Sequence, residues 1–580
     1  LLWASGIPYY TTMAAAAGQY VGAVDQGTSS TRFALFDRSG AMVASEQQPI
    51  KIISTRPGWA EHDPVEMLEI VRRCIGEVMR PRNSSDVVSV GVTNQRETLV
   101  AWDPQTGSPF YNAILWLDTR TADTCSALER KTGSKDYFRS ICGLPISTYF
   151  SAVKMMWLME NVPDVKKAVK QRRCLIGTVD CWLIWNLTGG PQGGVHVTDV
   201  TNASRTMLMD LKTLHWSPAV CDMLGIPRHV LPKIASSSEK YGEFEETSPL
   251  ARIPISGCIG DQHAGTLDDI SMVPGTSLNY HLFEAMLGQL CFQPGQVKTT
   301  YGTGAFMVCN TGRRIVQSKH GLLTTVCFKL GPNADCLYAL EGSVAYAGAI
   351  VQWLRDHLGI INSSAEINKL AESVPDNGGV YFVTALSGLF APHWRDDARG
   401  LIIGLTQHST KAHIARAALE AVCYSIREVM EAMEKDSGTK LTLLRVDGGM
   451  SVSDTIMQMQ ANVVQLQTER PSMLETTALG AAIAAGLASG FWTSIDDVTA
   501  CCGTSYKVFS PNVPRPVYEA TFSKYKRAIR RAIGWIPGSP EESPSAHSKG
   551  KVRASNWLQL SAVSIGSAAA GALLMRLLSR

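Results

Sequence analysis

The chain has 580 residues, more than the ~100–200 residues of a typical domain, so we expect at least two domains. Apolar residues make up 45% of the chain and charged residues 18%, a composition that supports folded cores and excludes broad disorder. The net charge is only +3, from 54 basic and 51 acidic residues. This excludes a nucleic-acid binder that depends on a strong basic field, and no nucleic-acid partner is expected.

Residues 1–19 precede the first predicted strand and are expected to form an N-terminal extension. Residues 1–12 contain neither a basic region nor a long apolar run, so we do not expect a secretory signal. The cysteines also argue against secretion. The 14 of them form no CxxC pair and show no metal-like spacing to a histidine. We interpret them as reduced thiols of a cytosolic protein.

The first half of the chain begins as an α/β domain. Its first predicted elements are three strands, at 20–25, 31–37 and 42–47. The turn sequences DQGTSS and RSG between them predict an antiparallel meander. Asp63 followed by Pro64 is typical of an N-cap and a first helical position, which predicts a helix to about Val78. An apolar strand at 87–93 completes the strand–helix–strand order of an α/β fold.

The second half repeats this order. Its predicted strands lie at 300–306 (strand, turn, strand), 321–326, 336–339 and 443–446. An amphipathic helix is predicted over 411–433, with apolar residues on one stripe. Two halves that each begin with a Gly/Thr turn between strands indicate a duplicated architecture. The crevice between the halves is then the natural ligand site.

The C-terminal end indicates a membrane anchor. Residues 536–556 are rich in Pro, Ser and Gly, as flexible linkers are. The uncharged 19-residue segment 557–575 follows, and a single transmembrane helix needs ~20 mostly apolar residues. A helix docked on a surface is the alternative, because the segment is only moderately hydrophobic. As a tail anchor it would leave the rest of the chain facing the cytosol, and its basic flanks favour the mitochondrial outer membrane.

Three turns rich in Gly, Thr and Asp follow apolar strands, at 25–32, 301–306 and 447–450. Glycine lets the backbone approach a phosphate closely, and Thr or Ser adds a hydroxyl donor. One such turn is most often an ordinary hairpin, but three across two halves indicate a nucleotide held between domains. The sequence contains no P-loop motif and no GxGxxG on a βαβ unit, which excludes those two modes of nucleotide binding.

A series of longer motifs makes the interpretation specific. In order, they are DQGTSSTR, TNQRET, YFSAVKMMWL, GTVDCWLIW, TDVTNASRT, GDQ, TYGTGAF, YALEGSV, RGLIIGLT, RVDGGM and ETTALGAA. From about Tyr20 to Trp535 the chain resembles the FGGY carbohydrate kinase family, in particular its members that act on glycerol. The resemblance implies an α/β fold of two actin-like (ribonuclease-H-type) domains flanking a deep cleft, with an N-terminal domain over 20–292 and a C-terminal domain over 293–535.

The resemblance also implies an activity and its site. The activity is ATP-dependent phosphorylation of glycerol to sn-glycerol 3-phosphate, the first step of glycerol catabolism, by a homo-oligomer. Asp261 would be the general base that accepts the glycerol hydroxyl proton, and Asp25 would hold Mg²⁺. The other implied glycerol-site residues are Arg96, Glu97, Trp116, Tyr149 and Phe306. The implied ATP-site residues are Thr28, Arg32, Thr303, Gly348, Gln352, Gly449 and Ser453. The family commonly has Asn where this chain has Ser453, so we expect an altered adenine contact.

The chemistry of these side chains agrees with such a site. Arg96 beside Glu97 offers a donor fork and an acceptor, and Trp116 with Phe306 offers a small apolar wall, which suits a three-carbon triol. An alcohol that attacks ATP needs a carboxylate to orient it and cationic groups to stabilise the transferring phosphoryl. The alternatives are an ordinary ion pair, a core tryptophan, and aspartates that only cap turns or helices.

Residues 265–284 interrupt the family pattern beside Asp261. Removal of these 20 residues restores the continuous segment GDQHAAMLGQLC. An insertion here could misplace the base, and an ångström-scale error costs about 100-fold in rate. Pro274 and Gly275 indicate a loop, which could also bulge outward at little cost. Both outcomes stay open: an active kinase, or a non-catalytic, membrane-anchored interaction protein. A kinase of another polyol or sugar is a third alternative.

Overall fold

The computed structural model describes residues 19–264, 295–471, 476–502 and 506–536. Most of both predicted halves lies within these ranges. The N-terminal extension up to residue 18, the insertion at 265–284 and the chain from 537 onward, with the predicted linker and the segment 557–575, lie outside the described residues. The predicted domain boundary at 292/293 also lies outside them and stays a prediction.

The first lobe comprises residues 19–264. Its strands are β1 (Tyr20–Gln26), β2 (Ser30–Phe36), β3 (Met42–Pro49), β4 (Glu61–His62), β5 (Val87–Asn94), β6 (Leu99–Trp102), β7 (Ala113–Ile114), β8 (Leu175–Thr178), β9 (Val197–Asp199), β10 (Met209–Asp210), β11 (His215–Trp216), β12 (Lys233–Ala235), β13 (Ser238–Glu243) and β14 (Pro254–Gly260). Its helices are α1 (Pro64–Met79), α2 (Ala122–Thr132), α3 (Arg139–Cys142), α4 (Ser151–Asn161), α5 (Pro163–Lys170), α6 (Val179–Leu187), α7 (Val200–Ala203), α8 (Pro218–Leu224) and α9 (Asp261–Ala264).

The central sheet of the first lobe has six strands in the order β13-β14-β5-β1-β2-β3. Strands β1, β2 and β3 form the predicted antiparallel meander. Strand β1 runs parallel to β5, and β5 runs parallel to β14. The carboxyl ends of β1, β5 and β14 therefore lie side by side at one edge of the sheet.

Helix α1 begins as the sequence predicts. The Asp63 carboxylate caps it by accepting hydrogen bonds of 2.8 Å from the Val65 amide and 3.4 Å from the Glu66 amide. Pro64 is the first helical residue. The N–H that proline lacks would have no partner within the helix at this position. The helix ends at Met79, one residue beyond the predicted end.

The second lobe comprises residues 295–536, with gaps at 472–475 and 503–505. Its strands are β15 (Gln296–Tyr301), β16 (Ala305–Gly312), β17 (Leu323–Phe328), β18 (Leu337–Val344), β19 (Tyr381–Val383), β20 (Leu401–Ile403), β21 (Leu443–Asp447), β22 (Thr468–Pro471) and β23 (Tyr506–Phe509). Its helices are α10 (Gly348–Asp356), α11 (Glu366–Glu372), α12 (Lys411–Ser437), α13 (Asp454–Val464), α14 (Thr476–Ser489), α15 (Ile495–Cys501) and α16 (Arg515–Ala532).

The sheet of the second lobe repeats the topology of the first. Its seven strands run β17-β18-β16-β15-β21-β22-β23. As in the first lobe, an antiparallel hairpin (β15 with β16) comes first, and its first strand pairs in parallel with a later one, β21, which pairs in parallel with β22. The predicted duplicated α/β architecture is confirmed. The long predicted helix is α12, which continues four residues past its predicted end at 433.

Helix α14 joins the two lobes, because it belongs to the second lobe in sequence but packs on the sheet of the first. A Cβ atom on Gly91 of β5 would lie 2.0 Å from the Ala481 carbonyl oxygen, so only glycine permits this approach. Ser89 Oγ donates a hydrogen bond of 3.1 Å to the Ala485 carbonyl oxygen. The helix and the sheet share one hydrophobic cluster, so the lobes are packed together along this helix.

Every cysteine in the described part of the chain is a free thiol. Within the same ranges, no helix combines the length and the apolar character that crossing a membrane requires.

Candidate active site

The candidate catalytic residues lie at the carboxyl edge of the first sheet. Gln26, Asn94 and Gly260 end neighbouring strands and are paired across the ladder. Asp25 therefore lies at the end of β1, and Asp261 follows the end of β14 directly. Arg96 follows β5, between them. Parallel pairing of three strands thus brings together side chains that are 236 positions apart in sequence (261 − 25).

Asp261 has the environment of a general base. It opens helix α9, where its Oδ1 accepts a hydrogen bond of 2.8 Å from the Gln262 amide. Arg96 Nε lies 3.2 Å from the same oxygen, and the Asp261 side chain is 26% exposed. Desolvation raises the pKa of Asp261 to about 6, although the Arg96 charge opposes the shift. The group is thus a stronger base than an ordinary aspartate and is still ionised at neutral pH.

Asp25 is a second carboxylate in the same site. Desolvation raises its pKa to about 7; Arg32 opposes the shift and Asp261 adds to it. Arg32 is paired with Asp25 across the β1–β2 ladder, and its Nη2 donates a hydrogen bond of 2.5 Å to Gln47 Oε1. Carboxylate oxygens are the ligands that Mg²⁺ prefers, so Asp25 could hold such an ion.

Arg96 and Glu97 each have a buried ionic partner, and their contact with a substrate stays a prediction. The Arg96 fork is bound by Glu341 of the second lobe, with two hydrogen bonds of 2.7 Å. Glu97 Oε1 accepts a 2.5 Å hydrogen bond from Arg205 Nε. The two partners, Arg205 and Glu341, were not among the predicted site residues, although both lie in quoted motifs. Glu341 has a sequence signal, a charged side chain within the mostly apolar segment YALEGSV, because such a charge must find a partner when buried. Arg205 stands among polar residues in TDVTNASRT and has no such signal.

The predicted apolar wall of Trp116 and Phe306 is assembled from both lobes, and Tyr149 packs against it. The Trp116 ring meets the Tyr149 ring at 5.7 Å between centroids and the Phe306 ring at 5.6 Å, both edge to face. Trp116 and Tyr149 belong to the first lobe and Phe306 to β16 of the second. Trp116 Nε1 also donates a hydrogen bond of 2.9 Å to Thr28 Oγ1. The wall is thus attached to the turn that is predicted to meet the phosphates.

The glycine turns of the second lobe lie against one another. The amide of Gly348 donates a 2.9 Å hydrogen bond to the Gly302 carbonyl, and the amides of Ala347 and Ala349 donate to the Thr303 carbonyl at 2.9 and 3.0 Å. A Cβ atom on Gly348 would lie 2.7 Å from the Gly302 oxygen. Close approach of these chain segments fixes the Gly302–Thr303 turn beside the start of α10, and the three amides are occupied in doing so.

The remaining predicted nucleotide residues lie on the same lobe. Gln352 is exposed one turn beyond Gly348 on α10, and Gly449 is exposed after β21. Ser453 caps helix α13, accepting from the Ile456 amide at 3.3 Å and donating to Asn368 Oδ1 at 2.8 Å. Both hydrogen-bonding functions of the Ser453 hydroxyl are therefore in use, and its adenine contact stays a prediction.

A buried cation on the second lobe was not predicted. Lys298 Nζ lies 3.4 Å from Asp447 Oδ2, and both side chains are almost fully buried. Thr476 Oγ1 donates to the same Asp447 oxygen at 2.7 Å. Desolvation raises the pKa of Asp261, and the Lys298 charge opposes this rise. A cation of the second lobe therefore acts on the candidate base of the first.

Comparison with known proteins covers both lobes. The model of the FGGY family of carbohydrate kinases, N-terminal domain, matches residues 20–267, and that of the C-terminal domain matches residues 297–489. Residues 268–296 fall between the two matches. The predicted fold class, two actin-like α/β domains, is thereby confirmed.

Curated relatives match over almost their whole length. The chain is 49% identical to "Glycerol kinase" of Chloroflexus aggregans over 520 residues, which span 89% of this chain and 99% of that protein. It is 50% identical to "Glycerol kinase 3" of Streptomyces avermitilis over 521 residues, which again span 89% and 99%. It is 49% identical to "Glycerol kinase" of Mycobacterium tuberculosis over 527 residues, or 90% and 98%.

Solved structures agree with this comparison. A crystal structure of Plasmodium falciparum glycerol kinase with ADP matches with a TM-score of 0.78 at 35% identity, over 89% of this chain and 98% of that one. A xylulose kinase from Lactobacillus acidophilus matches with a TM-score of 0.74 at 22% identity, over 89% of this chain and 98% of that one. The second likeness concerns the fold alone.

Proposed function

The chain belongs to the FGGY family of carbohydrate kinases, and on that premise we propose that it transfers the γ-phosphoryl group of ATP to a terminal hydroxyl of glycerol. The observation that carries this proposal is the position of Asp261. This carboxylate lies beside Arg96 at the carboxyl edge of the first sheet, and only strand β5 separates its strand from the one that carries Asp25. The curated relatives that match over nearly their full length are named glycerol kinase.

In the proposed reaction, Asp261 accepts the proton of the attacking glycerol hydroxyl. The oxygen forms a bond to the γ-phosphorus as the bond from that phosphorus to the β–γ bridging oxygen breaks, and ADP leaves. Protonated Asp261 then releases the proton to solvent. A pKa of about 6 suits this task, because the carboxylate is mostly ionised at neutral pH and still holds a proton better than an ordinary aspartate does.

The wall of Trp116, Tyr149 and Phe306 supports a small substrate. These rings approach one another at 5.6 and 5.7 Å between centroids and offer apolar surface to a short carbon chain. Arg96 can donate hydrogen bonds to the glycerol hydroxyls, and Glu97 can accept hydrogen bonds from them. A larger sugar needs a roomier pocket, which disfavours the alternative of a sugar kinase.

We further propose Mg²⁺ as the cofactor that accompanies ATP. Asp25 would hold it, since a hard cation prefers carboxylate oxygen and would relieve the burial cost that raises the pKa of this group. When bound, the ion would neutralise charge on the phosphate oxygens. Thr28 and Arg32 on the first lobe, and the Thr303 and Gly348 turns on the second, would contact the phosphates. Gln352, Gly449 and Ser453 would lie toward the nucleoside.

Membrane attachment and assembly are also proposals. The segment 557–575 would anchor the chain by its tail, with the kinase lobes facing the cytosol at the mitochondrial outer membrane. Its length and basic flanks support this. Resistance of the membrane-bound protein to carbonate extraction would test the anchor, and light scattering would test the homo-oligomer.

A coupled assay of ADP release with glycerol and MgATP tests the main proposal, with other polyols and sugars as a substrate panel. The full chain is measured beside a variant that lacks residues 265–284. We expect turnover of glycerol above every other substrate. Nucleotide binding by calorimetry without turnover in the full chain, with turnover in the deletion variant, would favour the non-catalytic interaction protein. No activity in the full chain and none after the deletion would overturn the proposal.

A further inference from the structure

We propose that Arg205 and Glu341, one from each lobe, are positioning residues that hold Arg96 and Glu97 in the polyol site. The inference rests on the proposed function, because it assigns Arg96 and Glu97 to substrate. Its consequence is that the second lobe, which carries two of the three predicted nucleotide turns, also completes the substrate site on the first lobe.

Glu341 is fully buried in the middle of strand β18, where every residue is buried. Its two carboxylate oxygens accept hydrogen bonds of 2.7 Å from Nη1 and Nη2 of Arg96. This bidentate geometry fixes the plane of the Arg96 guanidinium. The remaining nitrogen of that group, Nε, then lies 3.2 Å from Asp261 Oδ1. Glu341 thus sets how Arg96 faces the candidate base.

Arg205 makes the corresponding contact to Glu97. Its side chain has no exposed surface, its Nε donates to Glu97 Oε1 at 2.5 Å, and its Nη1 lies 3.3 Å from Glu341 Oε2. The guanidinium also lies over the Tyr149 ring, 5.4 Å from its centroid. One buried cation therefore contacts Glu97, Glu341 and a member of the aromatic wall.

The backbone of Glu97 shows why such support is needed. Its φ of 61° lies in the left-handed region, which is uncommon for a residue with a side chain and persists where the surroundings fix it. Besides Arg205, Ser151 Oγ donates a 3.1 Å hydrogen bond to the Glu97 carbonyl. A strained residue held by a buried cation at a strand end is typical of a functional position.

The five charged side chains of this cluster come from both lobes and link the substrate site to the nucleotide turn. Arg96 and Arg205 of the first lobe supply two cations, which Glu97 and Asp261 of the same lobe already balance, and Glu341 adds a third anion from the second lobe that contacts both arginines. Strand β18 leads from Glu341 to Gly348, seven positions later (348 − 341), at the start of α10. The strand that orients the substrate arginine is therefore continuous with the predicted nucleotide turn.

The test uses two single variants. Glu341→Gln keeps the shape of the side chain and removes its charge, and Arg205→Lys keeps the charge and removes the guanidinium. Glycerol binding by calorimetry is measured with steady-state KM and kcat for glycerol and ATP. Glu469→Gln is the matched control, because it removes the charge of another acidic partner in the second lobe, 3.1 Å from the buried Arg445. Melting temperatures establish that each variant is folded.

We expect both variants to weaken glycerol binding by about 10- to 100-fold, since a hydrogen bond to a charged group contributes about that factor to affinity. The KM for ATP should change less than about 3-fold, and the control should bind glycerol normally. Folded variants that bind glycerol like wild type, or that lose glycerol and ATP affinity equally, would overturn the proposal. If Glu341→Gln does not fold, Glu341→Asp, which retains the charge but shortens its reach, is judged by the same criteria.

Calorimetry needs no turnover, so the inference can be separated from the proposed reaction. If wild type binds glycerol without phosphorylating it, the proposed function fails while the positioning roles are still measured. If wild type does not bind glycerol, both fail.

Discussion

Trp116 Nε1 donates a hydrogen bond of 2.9 Å to Thr28 Oγ1. The bond connects the aromatic wall of the candidate polyol site to the first glycine turn, which is predicted to contact phosphate. The indole is also packed edge to face against Phe306 of the other lobe. One side chain therefore contacts a candidate substrate residue and a candidate phosphate residue at once.

Trp116→Phe should affect both substrates. The variant keeps an apolar ring but loses the hydrogen bond to Thr28, which is worth about 0.5–1.5 kcal/mol, or about 2- to 10-fold in affinity. We expect KM to rise by that factor for glycerol and for ATP. Trp535→Phe is the control, because Trp535 is 72% exposed. A change confined to kcat would contradict the role given to this bond.

Gly348→Ala should weaken nucleotide binding selectively. The added Cβ would lie 2.7 Å from the Gly302 oxygen and push apart the two turns that are predicted to contact phosphate. We expect the KM for ATP to rise about 10-fold or more, with little change in the KM for glycerol. Gly76→Ala, in helix α1 with no atom near the new Cβ, should instead stabilise the fold by about 0.5–1 kcal/mol. An equal change in the KM for ATP in both variants would contradict the assignment of Gly348 to the nucleotide site.

Activity should fall as pH decreases through about 6. The pKa of Asp261 is raised from 3.8 to about 6, so the carboxylate that accepts the proton is lost at a higher pH than for an exposed aspartate. Above that value the base is ionised and this group no longer limits the rate. The kcat/KM for glycerol between about pH 5 and 8 measures this, and each unit below the pKa should cost about 10-fold. A profile that is flat to pH 5 would show that Asp261 is not the base.

Much of the fold could be predicted from local sequence. The Asp63–Pro64 cap, the opening meander and the long helix α12 each depend on neighbouring residues, and all three are confirmed within a few residues. The repeated order of turns and strands also predicted the duplication, because each half carries its own hydrophobic pattern.

The contacts of the site could not be predicted in the same way. Arg205 and Glu341 lie in quoted motifs, yet their partners are 108 and 245 positions away in sequence and depend on strand register and on how the lobes meet. The left-handed backbone of Glu97 has no sequence signal either, since its residue type does not favour it. Helix α14 likewise reaches the first sheet because Gly91 leaves space for it, which a periodic pattern does not show.

The most direct test of the proposed reaction, with Asp261 as its base, follows the phosphoryl group itself. ATP labelled at the γ-phosphate is incubated with glycerol and the full chain, beside Asp261→Asn and a surface control, Asp335→Asn, whose side chain is 58% exposed. We expect label in glycerol 3-phosphate for wild type and the control, with a rate lower by about 100- to 10,000-fold for Asp261→Asn and ATP still bound. Wild-type rates in Asp261→Asn, or label released only as inorganic phosphate by wild type, would contradict the proposed reaction.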